Sequence, residues 1–184
     1  MPASDPANGL SGILGSLRIA PIRIEDLPAI RYVHVTAFRS QAATCYGEAE
    51  VAAFEQAVRS PDYGQALLDD RVLGGFMGAD LIGTAGWQPG LEGADTVRMR
   101  AIFVSPFFMR LGVGRHLVAA AEREAGRAGY SAFSVRATLN VVGFLQRMGY
   151  AVTSQGVRQL QPTVGLPVAF MRKSAVDQPS DPRA

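Results

Sequence analysis

The stretch "RMRAIFVSPFFMRLGVGRHLVAAAEREAGRAGY", Arg98 to Tyr130, decides the fold. It opens as an apolar strand-like run that Pro106 closes, and it ends as an alanine-rich pattern with Val113, Leu117, Val118 and Ala121 at helical spacing. Gly129 is a natural C-terminal stop for that helix. Between the two lie Gly112 and Gly114. A strand, a glycine turn and a helix N-terminus together bring unpaired backbone N–H groups and a partial positive charge toward an anion. Glycine lets the backbone come close to a pyrophosphate, and Arg110 and Arg115 flank the turn. The spacing fits neither a P-loop nor the dinucleotide fingerprint, whose third glycine would fall at Leu117. Taken alone, the turn is as readily a plain strand-to-helix connection as a phosphate cradle.

Outward from this centre, "LRIAPI" (17–22) alternates as a first strand, and "EDLPAIRYVHVTAF" (25–38) carries Leu27, Ile30, His34 and Phe38 near helical spacing. Glu25 and Asp26 suit its first turn, and Pro28 is tolerable so near the start. A second helix is expected over 47–60, stopped by Pro61. Residues 71–87 read as a hairpin around Gly78-Ala79-Asp80, 95–106 as a longer strand, and "SAFSVRAT" (131–138) as a strand with Phe133, Val135 and Ala137 on one face. "NVVGFLQRMGY" gives a short helix with Val141, Phe144, Leu145 and Met148 inward and Gly149 at its end; "PVAFMRK" (167–173) supplies the last strand. The expected order is β-α-α-β-β-β-α-β-α-β-β, a mixed α/β domain over residues 16–174. The stretches 1–15, rich in Pro, Ser, Gly and Ala, and 175–184, similar in character, read as disordered tails.

Composition narrows the function classes. An apolar fraction of 48% and a charged fraction of 18% over 184 residues are those of a soluble globular domain. A net charge of +2 with scattered Lys and Arg gives no nucleic-acid footprint. Cys45 is the single cysteine, so no intramolecular disulfide forms, and no nucleophile signature surrounds it. The start "MPASDPANGLSG" has neither a basic n-region nor an apolar core, and no run reaches the ~20 apolar residues of a membrane span. A cytoplasmic protein without membrane, nucleic-acid or metal partners is expected.

The segment "VRMRAIFVSPFFMRLGVGRHLVAAAEREAGRAGYSAFSVRATLNVVGFLQRMGY", 97–150, resembles the acetyl-CoA-binding core of the GCN5-related N-acetyltransferases. That family's Gln/Arg-x-x-Gly-x-Gly/Ala pattern corresponds to Met109–Gly114, and its later Asn and Phe-Tyr-x-x-x-Gly-Phe/Tyr stretch to 137–150. The resemblance implies a mixed, mostly antiparallel sheet flanked by helices on both faces. It also implies acetyl-CoA as co-substrate, a small-molecule or peptide amine as acceptor, and homodimers as a common assembly. It further implies a gap between the two central strands for the pantetheine arm, and a cofactor set of Ile102, Phe103, Val104, Arg110, Leu111, Gly112, Val113, Gly114, Arg115, Asn140 and Phe144. Asn140 reads either as a helix N-cap or as a hydrogen-bond partner of CoA.

Two departures bear on catalysis. The first position of the pyrophosphate pattern is Met109, with Arg110 one residue late. The position where many members carry the Tyr that protonates the leaving thiolate is Leu145, and the strand position of a catalytic Glu in some members is Arg98. A thioester is already activated, so a neutral, well-placed amine can attack it directly. A non-catalytic acetyl-CoA-binding module is the alternative, and a nucleotide-binding α/β protein a more distant one. His34 reads as a satisfied core histidine before a catalytic one, Tyr46 as a half-buried tyrosine before an acceptor-site phenol, Glu48 as a helix-start charge, and His116 as exposed. Phe107, Phe108 and Met109 either border the cofactor or pack on the next helix. No catalytic residue is assigned.

Overall fold

Seven strands form one sheet in the order β1-β2-β3-β4-β5-β7-β6 in a computed structural model that describes residues 14–42, 44–90 and 93–174. The strands are β1 (Leu17–Pro21), β2 (Arg71–Met77), β3 (Asp80–Pro89), β4 (Thr96–Val104), β5 (Ala132–Thr138), β6 (Ala151–Gln161) and β7 (Val164–Ser174). Only the β4–β5 pair is parallel; every other pair is antiparallel. The expected mixed, mostly antiparallel sheet with helices on both faces is therefore observed. Apart from Leu14 and Gly15, the stretches read as tails lie outside the described residues.

Helices α1 (Leu27–Ala42), α2 (Glu48–Arg59) and α3 (Pro61–Asp69) cover one face; α4 (Val113–Arg127) and α5 (Val142–Arg147) cover the other. The helix over 48–59 ends before Pro61 as expected, but a third helix then follows that the expected order, with a strand next, lacks. Pro61 stands at N1, where its missing N–H costs nothing, and the Ser60 hydroxyl caps the new helix by accepting from Tyr63 N–H at 3.2 Å. The last strand is also longer than the expected 167–173.

The period-2 pattern of the strands splits the core in two. Val97, Met99, Phe133, Val135, Ala137, Ala169 and Met171 meet Val113, Leu117, Val118, Ala121 and Ala125 of α4, with Leu145 of α5. On the opposite face Ile30, Val33 and Leu67 pack on Val72, Phe76 and Leu81, while Phe38, Phe54 and Val58 pack on Leu166. Each fully buried Leu, Ile or Phe contributes on the order of 1.5–3 kcal/mol by leaving water. Leu117 settles over Gly75 and Gly83, which are register partners; a Cβ on Gly83 would lie 2.8 Å from Phe103 O and 2.9 Å from Leu117 Cδ1, so any side chain there would clash with the backbone of β4.

One ion pair lies inside the α4 face. Lys173 Nζ of β7 reaches Glu122 Oε2 of α4 at 2.7 Å, and the Tyr150 hydroxyl donates to Glu122 Oε1 at 2.7 Å. Burial, reinforced by the Glu122 carboxylate, pushes the Tyr150 hydroxyl well above the usual phenol range, so it remains a donor.

Candidate functional site

Strand β4 pairs with β5 only from Thr96 to Met99. The register with β3 then shifts between Thr84 and Gly86, and Ala101 adopts φ 53°, a left-handed conformation that costs an L-residue on the order of 1–2 kcal/mol. This is a β-bulge: Arg100 and Ala101 both turn to the α1 face, and the strand bends away from β5. Beyond it, Ile102–Val104 have no β5 partner. Ser105 N–H donates to Ile82 O on β3, so strand alternation turns the N–H and C=O groups of Ile102 and Val104 toward the gap.

The bulge is held by a buried chain of hydrogen bonds. Thr84 Oγ1 donates to Ala101 O, so it accepts from His34 Nε2–H at 2.7 Å; Nδ1 then accepts from the Tyr63 hydroxyl at 2.7 Å. His34 is fully buried and stacks on Phe103 with ring centroids 4.1 Å apart. Burial lowers its pKa from 6.5 to about 3, so it stays neutral and cannot serve as a titrating base near neutrality. The core reading of His34 is the observed one, and the residue positions β4 rather than facing a ligand. Below pH 6.5 the unfolded chain binds a proton that the native His34 refuses down to about 3. Stability from this group therefore falls as pH is lowered across that window, by up to about 1.4 kcal/mol per pH unit. Urea midpoints of wild type and His34→Gln should draw together as pH falls from 6.5; parallel curves would contradict the assignment.

The gap opens into a groove of about 620 Å³. It is lined by Ile102, Phe103 and Val104 of β4, by Arg110, Gly112, Gly114 and Arg115 of the turn, and by Asn140 and Phe144 beyond β5. Of the eleven residues singled out from sequence, Val113 and Leu111 do not line it. Val113 turns into the core and Leu111 packs against it. Gly112 caps α4 with φ 82°, and among the described residues no side chain satisfies the first turn's N–H groups; the first intrahelical bond is His116 N–H to Gly112 O. Sequence reasoning missed Gln41 and Arg147, which also line the groove. Arg147 stands one helical turn after Gly143, a spacing that was the available signal.

Asn140 is not an N-cap; Thr138 holds that position for the 3₁₀ turn Leu139–Val141, and Val141 for α5. Its amide donates to Gln41 Oε1 at 3.4 Å, and its Oδ1 is buried without a protein partner. An orphaned acceptor, a free helix N-terminus, an unpaired strand segment and Arg110, Arg115 and Arg147 suit a ligand with amide N–H groups at one end and phosphate at the other.

Most other candidates fall outside the groove. Tyr46 is pinned in the α2 side of the core, donating to Pro167 O and accepting from Leu139 N–H, both at 2.7 Å. Glu48 opens α2, and His116 is exposed with Nδ1 3.0 Å from Gly112 O. Leu145 is wholly buried in the α4-side core. Phe107 projects into solvent at 83% exposure, whereas Phe108 and Met109 border the groove, Phe108 also packing on the core. Among the described residues, no Asp, Glu, His, Tyr or Cys lines the groove, no helix is long and apolar enough to cross a membrane, and no group of His, Cys, Asp and Glu is placed to hold a metal.

The model of the acetyltransferase (GNAT) family matches residues 28–150. Among solved structures, a GCN5-related N-acetyltransferase from Rhodopseudomonas palustris is similar with a TM-score of 0.76 at 24% identity, over 86% of this chain and 96% of that one. The PaiA N-acetyltransferase from Thermoplasma acidophilum, solved in complex with coenzyme A, gives 0.67 at 18% identity, over 86% and 99%. YncA of Salmonella typhimurium, solved with its cofactor acetyl-CoA, gives 0.59 at 20% identity, over 91% and 98%. No curated protein sequence matches the chain.

Proposed function

The chain belongs to the acetyltransferase (GNAT) family, and on that premise we propose that it transfers the acetyl group of acetyl-CoA to a primary amine of a small molecule or peptide by direct attack. The observation that carries the reading is the groove. One cavity gathers an unpaired strand segment, a glycine-capped helix N-terminus and the orphaned Oδ1 of Asn140, from three separate stretches of the chain.

In this reading residues 16–174 are one acetyltransferase domain. The first-turn N–H groups of α4, with Arg110 and Arg115, hold the pyrophosphate. Ile102 and Val104 hydrogen-bond the pantetheine arm as an added strand would, and Asn140 Oδ1 accepts from one of its amides. A β4 N–H near Phe103 and Val104 polarises the thioester carbonyl, as oxyanion-hole donors do. The amine arrives from the α1–α2 side in its neutral form; its nitrogen bonds to the acetyl carbon as the C–S bond breaks. The amine proton leaves to water, and the thiolate takes one from water, because Leu145 has none to give. The groove's share is proximity and carbonyl polarisation.

The absence of any acid–base side chain among the groove's described lining also favours a second reading, a module that binds acetyl-CoA without turnover. Both readings require acetyl-CoA to raise the melting temperature. The enzyme alone releases free thiol, read with a chromogenic disulfide, when a panel of primary amines is added. Stabilisation without thiol release selects the module, and no stabilisation by acetyl-CoA overturns both.

A further inference from the structure

The sheet face turned to α1, α2 and α3 carries a group of arginines that the groove does not use. Arg98 on β4 alternates with the buried Val97 and Met99 and stands beside Ser134 of β5 in the parallel register. Arg136 on β5 is opposite Phe170, and Arg158 on β6 is opposite Leu166, which packs against Phe38 and Phe54 of α1 and α2. Partners in a ladder share a face, so all three guanidinium groups rise on the side from which an acceptor would come.

Arg98 and Arg136 line one cavity, and the Arg136 guanidinium lies over the Phe170 ring at 5.9 Å. The Arg136 guanidinium is held below its usual range by burial first, then by the charges of Arg98, Arg158 and Arg100. Arg158 is lowered by burial and by Arg100, with Tyr63 acting in the opposite sense. Among the described residues no carboxylate forms an ion pair with Arg98, Arg136 or Arg158. Their neighbour Arg100 shows the ordinary solution: it is paired with Asp70 at 2.6 Å and with Gln88 at 2.8 Å. Arg98 and Arg136 also line a cavity of about 230 Å³ with Ser134 and Ser154. Converging like charges around a polar cavity raise the energy of the empty site, and an oxyanion lowers it by replacing repulsion with charge-assisted hydrogen bonds. Arginine's planar fork matches carboxylate and phosphate alike.

We propose that the acceptor amine carries an oxyanion, carboxylate or phosphate, and that Arg98, Arg136 and Arg158 bind it. The inference rests on the proposed acetyl transfer for the place of the amine. Arg136 is two residues from Thr138, a groove-lining residue, which is about 7 Å of strand. An acceptor with a few bonds between amine and anion spans that distance. The arginines thereby select among amines and orient the chosen one, while cationic amines such as polyamines are repelled.

The test uses the full chain saturated with coenzyme A, so that the α4 turn is filled, and titrates it calorimetrically with 2-aminoethyl phosphate, β-alanine and ethanolamine. These share a primary amine on a two-carbon chain and differ in phosphate, carboxylate or hydroxyl. The two anionic amines should bind at least about tenfold more tightly than ethanolamine, since each lost charged hydrogen bond is worth roughly tenfold or more. The stronger of the two identifies the oxyanion. In Arg98→Gln/Arg136→Gln that advantage should vanish with coenzyme A affinity unchanged, and Arg136→Lys, which keeps charge and loses the fork, should retain part of it. Equal binding of ethanolamine, or an anion preference that survives the double variant, overturns the proposal. A protein that binds no coenzyme A instead overturns the proposed function, and the same titration without coenzyme A still reads the arginines.

Discussion

Gly114→Leu is expected to raise the dissociation constant of acetyl-CoA more than a hundredfold, above about 2.7 kcal/mol, with a cooperative melt retained. A Cβ built on Gly114 meets Phe144 Cζ and Val104 Cγ2 at 3.4 Å, ordinary contact. A methyl therefore fits between β4 and α5, and anything longer occupies the groove between them. Gly114 lies within the first turn of α4 and its φ is not positive, so leucine is conformationally welcome there. Gly114→Ala should bind acetyl-CoA within a few-fold of wild type and gain about 0.5–1 kcal/mol of helix stability. Gly112 is a less clean probe, because its φ of 82° makes any side chain strained whatever the ligand does. Calorimetry with acetyl-CoA and thermal melts of the two Gly114 variants decide the point; normal binding by the leucine variant would remove the groove from the cofactor's path.

Lys173→Met should destabilise the fold by about 3–5 kcal/mol, the cost of leaving one member of a buried ion pair without its partner. The side chains of Lys173 and Glu122 are 8% and 5% exposed, so water cannot replace the ammonium. Among the described residues, the Tyr150 hydroxyl would remain the only donor to a buried carboxylate. Lys173→Met/Glu122→Gln should recover part of the loss, because a neutral amide can keep the tyrosine's hydrogen bond without a counter-ion. A loss under about 1 kcal/mol for the single variant in urea denaturation would show that the pair is solvated.

What was legible in the sequence is local. Gly112 and Gly114 announce a strand-to-helix turn, and Asn140 and Phe144 belong to a second motif at a fixed separation; the groove brings both motifs together. The strands from Thr96 to Thr138 follow from their alternation. What was not legible depends on partners far along the chain. An alanine gives no hint of φ 53°, and Ala101 holds it because Thr84, 17 residues away, and His34, 50 residues from Thr84, brace its carbonyl. The arginine face needs the order β4-β5-β7-β6, which no single strand reveals. The third helix was missed for a different reason: Ser60-Pro61 is a start signal as much as a stop. Asn140 looked like a cap by position, but the 3₁₀ turn moved the cap to Thr138 and freed its oxygen.

The central claim is that acetyl-CoA lies across the β4 gap with its phosphates on the α4 turn, and residue-resolved amide hydrogen exchange tests it most directly. The first-turn N–H groups of α4 and the gap-facing N–H groups of Ile102 and Val104 have no protein acceptor in the geometry described, so they should exchange quickly in the free protein. Saturating acetyl-CoA should slow exchange at Ile102, Val104 and Gly112–Arg115 by about tenfold or more, with little change in β1 and β2. Unchanged exchange at those amides, with protection elsewhere, would contradict it.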